Sequence, residues 1–461
     1  MSQVGRYRKK KPKFLTVALE LSTNADGVAT SIVGNENPVH SRENTIVPRP
    51  LFPYGIYAVD PTPRARELIH FIHVEAEYLY RPFRREWFSM AVIDTSAYFI
   101  SLANASLYMN RMICPGGLEY SDCLESSSYY STCLNTLSKR LSSRTERSSE
   151  GVITTILGFL CHDSNVSNWQ RWALHMKGLQ EVMQIRGSLQ GLSSWVTGFI
   201  FWMDIVGSAV SDTKPRFSIP ADLTPVSSRQ NVASPYLQSL MLRLRTHNSP
   251  ALNDTALSLE GASHVADIVN HQAKSPTFWN DGMNGTRLIG PLSHQLLSLP
   301  RLTESTFESA TALDEALREM TRLALLVVLA RLKLDFTYIA DELGPLQDRF
   351  ARIFAHDINH DVRFPDLQLW ALSIFGSVAT QGSSRDLYTV RVCEVANRME
   401  INCGASAFRT IRQIFLIDDM MATDVRALLL ESICSDRDCC PKNHCSRSIQ
   451  RSSQRSDALL I

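Results

Sequence analysis

Between Asn168 and Gly187 the chain reads NWQRWALHMKGLQEVMQIRG. Trp169, Trp172, Ala173, Met176, Leu179, Val182 and Met183 return there at three- and four-residue steps, which a helix of 3.6 residues per turn gathers onto one stripe. Gln170, Arg171, Lys177, Gln180, Glu181, Gln184 and Arg186 fall on the opposite face, and Gly187 stands where a left-handed C-cap is wanted. The spacing predicts a surface helix of an α-helical domain, and a chain with such an element at its middle is expected to build outward with more of the same.

The rest of the chain meets that expectation. Leu68, Phe71, Ile72, Tyr78 and Leu79 form a helical stripe within Arg64–Tyr80, and two further helices are predicted within Trp87–Ala103 and Tyr120–Ser142. A compact apolar helix over Gly151–Cys161 leads into the Asn168–Gly187 stretch, and Ser193–Val210 follows it, dense in apolar side chains. From Asp212 to about Pro235, Pro and Ser recur without clean periodicity, which marks a long loop and a candidate internal boundary. Beyond a weaker helical region reaching Pro300, Leu313–Leu334 is expected to be central, because its flanks are almost wholly apolar. Leu367–Ala379, Leu387–Met399 and Phe408–Ser432 complete an all-α array, built as one body or as two packed helical halves. There is no repeat of fixed period and no strand-helix alternation. Residues 1–50 are expected to be a disordered basic arm and residues 434–461 a Cys/Ser/Arg-rich tail.

A length of 461 residues exceeds the size at which one core usually stops growing, so two subdomains are as compatible with it as one large array. With 47 basic against 46 acidic residues the net charge is +1, and no global field draws nucleic acid or membrane. Leu323–Ala330, the longest apolar run of its segment, falls far short of the roughly 20 residues that span a bilayer. The basic N-terminal run is followed by no signal-peptide core, so the sequons at Asn104, Asn165, Asn253 and Asn284 are expected to go unused. Ten scattered cysteines suit a reducing compartment.

Several side-chain groupings have metal-like or catalytic spacing. Glu67, His70, His73 and Glu77 share one helix face, but a di-metal bundle needs a matching Glu-x-x-His elsewhere and none occurs; a solvated face is the expectation. His356-Asp357-Ile358-Asn359-His360 resembles HExxH with an acid one methylene too short to serve as general base. Asp418-Asp419-Met420-Met421-Ala422 lacks the third carboxylate of the DDxxD motif of terpene cyclases, and Asn253–Glu260 lacks the hydroxyl of the second motif, so diphosphate-bound magnesium would not be clamped. Cys161-His162-Asp163-Ser164 holds nucleophile and base types, but sequence neighbours rarely face one another, and the segment reads as a helix end with its cap. There is no P-loop, GxGxxG turn or GxSxG elbow. Cys434, Cys439, Cys440, His444 and Cys445 are weak zinc candidates, since their spacing matches no common module. Arg6, Arg8, Lys9, Lys10, Lys11 and Lys13 read as a nuclear-import signal, a polyanion contact or a solvated arm.

Trp169, Trp172, His175, Gly178, Leu179, Arg186 and Gly187 together resemble the WxxHxxGLxxxxxxRGG-like signature of the helical regulatory domain of fungal zinc-cluster transcription factors. Phe52-Pro53-Tyr54-Gly55 with Val59-Asp60-Pro61 is similar to that domain's entry, and Ile205-Val206-Gly207-Ser208 with Pro215-Arg216-Phe217 is similar to its "D-hydrophobic-VGS…PRF" stretch. Ser293–Pro300 and Arg322–Leu334 resemble its later elements. The resemblance implies a regulatory domain over residues 51–433, a nuclear location with the cytoplasm as alternative, and control of transcription through other proteins or a small-molecule effector. Homo- and heterodimers and DNA-binding partners belong to that expectation.

The family's DNA reader is a binuclear zinc cluster of paired Cys-x-x-Cys steps, and no two cysteines here have that separation. Sequence-specific DNA binding by this chain alone is therefore not expected, nor is a membrane association, a cofactor or an enzymatic activity. The alternatives are an all-helical enzyme with an unrecognised site, and a truncated gene model whose longer product carries the zinc cluster.

Overall fold

A computed structural model of the protein describes residues 57–74, 83–113, 123–223, 233–302, 311–336, 338–354, 363–379 and 382–433. The basic cluster Arg6–Lys13, the His356–His360 motif and the cysteine group from Cys434 to Cys445 lie outside those residues. Among the described residues there are seventeen α-helices, one short 3₁₀ turn at Ala221–Leu223 and no strand, which is the all-α array expected. The chain divides into two compact units at Val196/Thr197.

The first unit holds α1 (Pro63–Val74), α2 (Arg84–Ile93), α3 (Thr95–Ile113), α4 (Leu124–Ser142), α5 (Glu150–Asn165) and α6 (Trp169–Arg186). At its centre α3 packs against α1, α2, α4 and α5, and α6 lies on α5. Trp87–Ala103 was expected to be one helix, yet the chain breaks at Asp94. The Asp94 side chain accepts from the backbone amides of Ser96 (3.1 Å) and Ala97 (3.0 Å), so it starts a new helix inside an apolar run. Arg140 of α4 then anchors that carboxylate at 2.8 Å.

The second unit begins within α7 (Ser194–Ser211) and continues through α8 (Pro235–Thr246), α9 (Pro250–Gln272), α10 (Pro276–Asn280), α11 (Gly282–Ser298), α12 (Ala312–Asp335), α13 (Leu343–Phe354), α14 (Pro365–Val378), α15 (Ser383–Arg398), α16 (Gly404–Ile414) and α17 (Asp418–Ile433). Proline opens α8, α9, α10 and α14, at the one helical position where its missing amide costs nothing. The expected central helix is central: Leu323 to Ala330 of α12 are all buried, against α9, α11, α13 and α14. By length and composition α7 would suit a bilayer, but 72% of it is buried inside the protein, as a core helix is.

Phe408–Ser432 was expected as one helix and is two. Phe415 is extended, and the break is held from outside: its carbonyl accepts from Trp370 Nε1 (3.0 Å), while Asn270 donates to the Leu416 carbonyl (3.1 Å) and accepts from the Asp418 amide (3.1 Å). Helix α13 carries no expectation from the sequence reading, and its Phe350 stacks on Phe375 of α14 at 3.6 Å between ring centroids.

Candidate functional site

The helix that dominates the sequence is also the lid of a buried polar centre in the first unit. Asn168 caps α6 by accepting from the Arg171 amide (3.0 Å), and Gly187 ends it at φ +86° with its own amide bonded to the Met183 carbonyl (3.0 Å). Trp172, Met176, Leu179, Val182 and Met183 are buried against α5, as the periodicity requires, whereas Ala173 is exposed and Trp169 half-buried, its ring 6.0 Å from that of Trp172. Arg186 donates to the Ser148 carbonyl at 2.9 Å and so ties the end of α6 to the start of α5. Gly178 faces open space: a methyl group there would touch nothing within 4 Å.

Beneath this helix, the residues read as a helix end and cap are interior. His162 and Asp163 are fully buried in the last turns of α5, and the three-residue link Val166–Asn168 carries the chain straight into α6. The link returns the side chains at Asp163+8 and Asp163+12 over that carboxylate. Arg171 Nε lies 2.5 Å from Asp163 Oδ1, and His175 Nε2 lies 3.7 Å from Oδ2 and 2.9 Å from the Tyr130 hydroxyl of α4. The His175 ring stacks on Phe159 at 4.7 Å, and the Arg171 guanidinium sits 4.9 Å over the Tyr130 ring. His162 Nδ1 meets Asn104 Oδ1 at 2.8 Å, and Asn104 donates onward to the Gly158 carbonyl at 3.1 Å.

Burial dominates the electrostatics here. It pushes the Asp163 carboxyl up to about 7 against the pull of Arg171, and holds His175 down to about 4 and His162 down to about 3, with Arg171 lowering both further. Burial also raises the Cys161 thiol well above the usual thiol range, the reverse of what a nucleophile needs. The neighbouring Cys161, His162 and Asp163 therefore do not assemble into a reactive group; His162 and Asp163 instead tie α5 to α3 and α6.

The second unit has a counterpart. Arg322 of α12, with a fully buried side chain, clasps Asp212 with two bonds (2.8 and 3.0 Å) and Glu319 with two more (2.8 and 2.6 Å). Arg301 Nε approaches the same Asp212 at 2.9 Å and Arg349 of α13 at 3.6 Å. Burial alone would raise Asp212, but the bonds and charges of Arg322, joined by Arg301 and Arg349, hold it below the usual carboxylate range. The Asp204/Pro215-Arg216-Phe217 stretch forms a nearby tie: buried Asp204 accepts from the backbone amides of Arg216 (2.5 Å) and Phe217 (2.9 Å) and from the Arg216 side chain (3.0 Å). His294 of α11 meets the Phe217 carbonyl at 3.1 Å.

Of the remaining sequence groupings, Glu67 pairs with Arg64, itself bound to Glu125, and His70 is exposed. Asp418 pairs with Arg412. No three His, Cys, Asp or Glu side chains converge as a metal site would among the described residues.

The class of protein defined by these features is an all-helical domain whose charged interiors serve to fasten helices. A model of the family described as "Fungal specific transcription factor domain" matches residues 71–415, and the chain belongs to that family. A transcription-regulatory role follows from it. No curated protein and no solved structure matches the chain.

Proposed function

We propose that the protein regulates transcription in the nucleus through protein partners and is brought to promoters by them. The observation that carries this reading is the family match, which spans 71–415, in a sequence that contains no paired Cys-x-x-Cys step to build the family's DNA reader. Arg6, Arg8, Lys9, Lys10, Lys11 and Lys13 would supply nuclear import.

An apolar recess in the first unit, lined by Ile69, Trp87, Val92 and Tyr98, has room for roughly one water molecule and is too small for a metabolite.

Chromatin immunoprecipitation of the tagged protein beginning at Met1, paired with imaging, tests the proposal. Nuclear residence and promoter occupancy that vanish when a partner is depleted are the expected result. Residence in the cytoplasm without occupancy would overturn it, and occupancy by a longer product alone would assign the DNA contact to a zinc cluster encoded upstream.

A further inference from the structure

The outer face of α6 mixes aliphatic and charged side chains. Gln170, Leu174, Lys177, Glu181 and Ile185 follow one another at steps of four, three, four and four, and all are exposed, opposite the buried stripe. Leu174 is 71% exposed and Ile185 51%, two branched aliphatic residues near the ends of a face whose centre carries one cation and one anion. Beside the charges lies Gly178, with nothing within 4 Å of where a side chain would begin. Glycine inside a helix costs stability relative to alanine, and no packing within this chain requires it there.

We infer that this face is a docking surface for a second copy of the same chain, which lies antiparallel to the first across a two-fold axis near Leu179 and Gln180. The pattern is self-complementary in that one orientation. With the axis there, Leu174 of one copy meets Ile185 of the other at both ends, and Lys177 meets Glu181 twice in the middle. The notch at Gly178 admits the stem of the opposing Glu181. A parallel pairing would set Lys177 on Lys177 and Glu181 on Glu181, so charge selects the antiparallel, isologous arrangement. A single helix face is smaller than the roughly 800 Å² per partner of a standard stable interface, which makes the dimer a reversible one. This deepens the partner-based reading above, while its test does not depend on promoter occupancy.

Sedimentation equilibrium of the full chain over a concentration series, with circular dichroism to confirm that each variant is folded, provides the test. The wild type is expected to pass from monomer to dimer, and Leu174→Asp to associate at least tenfold more weakly. Lys177→Glu and Glu181→Lys should each weaken self-association several-fold, because each sets like charges against one another. Mixing those two variants should restore association, since every contact in the mixed dimer is again opposite in sign, and the double swap K177E/E181K should restore it within one chain. A wild type that stays monomeric throughout, a Leu174→Asp variant that associates like wild type, or a mixture no tighter than its components would overturn the inference.

Discussion

Asp163, His175 and His162 share the buried centre of the first unit, where burial decides which of them holds a proton. Burial raises Asp163 to about 7 while it lowers His175 to about 4 and His162 to about 3. Between about pH 4 and 6.5 the unfolded chain therefore takes up two histidine protons that the folded chain refuses, and sheds one carboxyl proton that the folded chain keeps. The net effect of these three groups is one extra proton on the unfolded state, so they make stability fall on acidification by about 1.4 kcal/mol per pH unit in that window. Above it only Asp163 remains, and its sign is opposite: its stabilising contribution declines as pH rises through 7. His175→Gln removes one of the histidine protons, so urea unfolding between pH 4.5 and 6 should show a slope lower than wild type by that same amount. An unchanged slope would mean that His175 is protonated in the folded state. This centre is not legible around Cys161, His162 and Asp163 themselves, because neighbours along a helix do not face one another. The missing partners, Arg171 and His175, come from the next helix, and the signal for His175 was its place at the edge of the Trp172–Met176 stripe.

At the scale of helices, close approach and charge clasping decide which substitutions are tolerated. A methyl group on Gly158 of α5 would lie 2.7 Å from Ile100 and 2.8 Å from Trp87, inside the packed centre of the unit. Gly158→Ala should cost about 1–3 kcal/mol through overpacking, which exceeds the gain of about 1 kcal/mol in helix propensity. Gly178→Ala meets no such obstacle and should stabilise the fold by up to about 1 kcal/mol, so chemical denaturation of the two variants should shift in opposite directions. In the second unit Asp212 sits at φ +50°, a conformation asparagine also accepts, so Asp212→Asn isolates the charge from the backbone. Arg322 would keep Glu319 but lose its second carboxylate, and Arg301 and Arg349 would lose theirs. Unfolding measurements should register a loss approaching the ~3–5 kcal/mol of a buried pair deprived of one partner. A loss below ~1 kcal/mol would show that the surrounding arginines reach water. Helix boundaries were legible where a cap states them, as at Asn168 and Gly187. They were not legible at Asp94, whose cap lies inside an apolar run, or at Phe415, where partners distant in sequence hold the break.

At the scale of the whole molecule, the chain is a family regulatory domain whose charged interiors fasten helices, with its most telling outward feature on the helix that first betrays the fold. The fold class could be read from helical periodicity alone, because burying an apolar stripe is a local requirement that the sequence must display. The outer face of α6 could not, since Lys177 and Glu181 fit any solvated polar face and only three-dimensional burial distinguishes exposed aliphatic residues such as Leu174 and Ile185 from core ones. Regulation of transcription through protein contacts can be read from a reporter gene when residues 51–433 and the full chain are fused to a heterologous DNA-binding domain. The tethered protein should change reporter output several-fold in either direction, and the change should depend on a cellular partner. A folded, nuclear fusion that leaves the reporter at the level of the DNA-binding domain alone would contradict it.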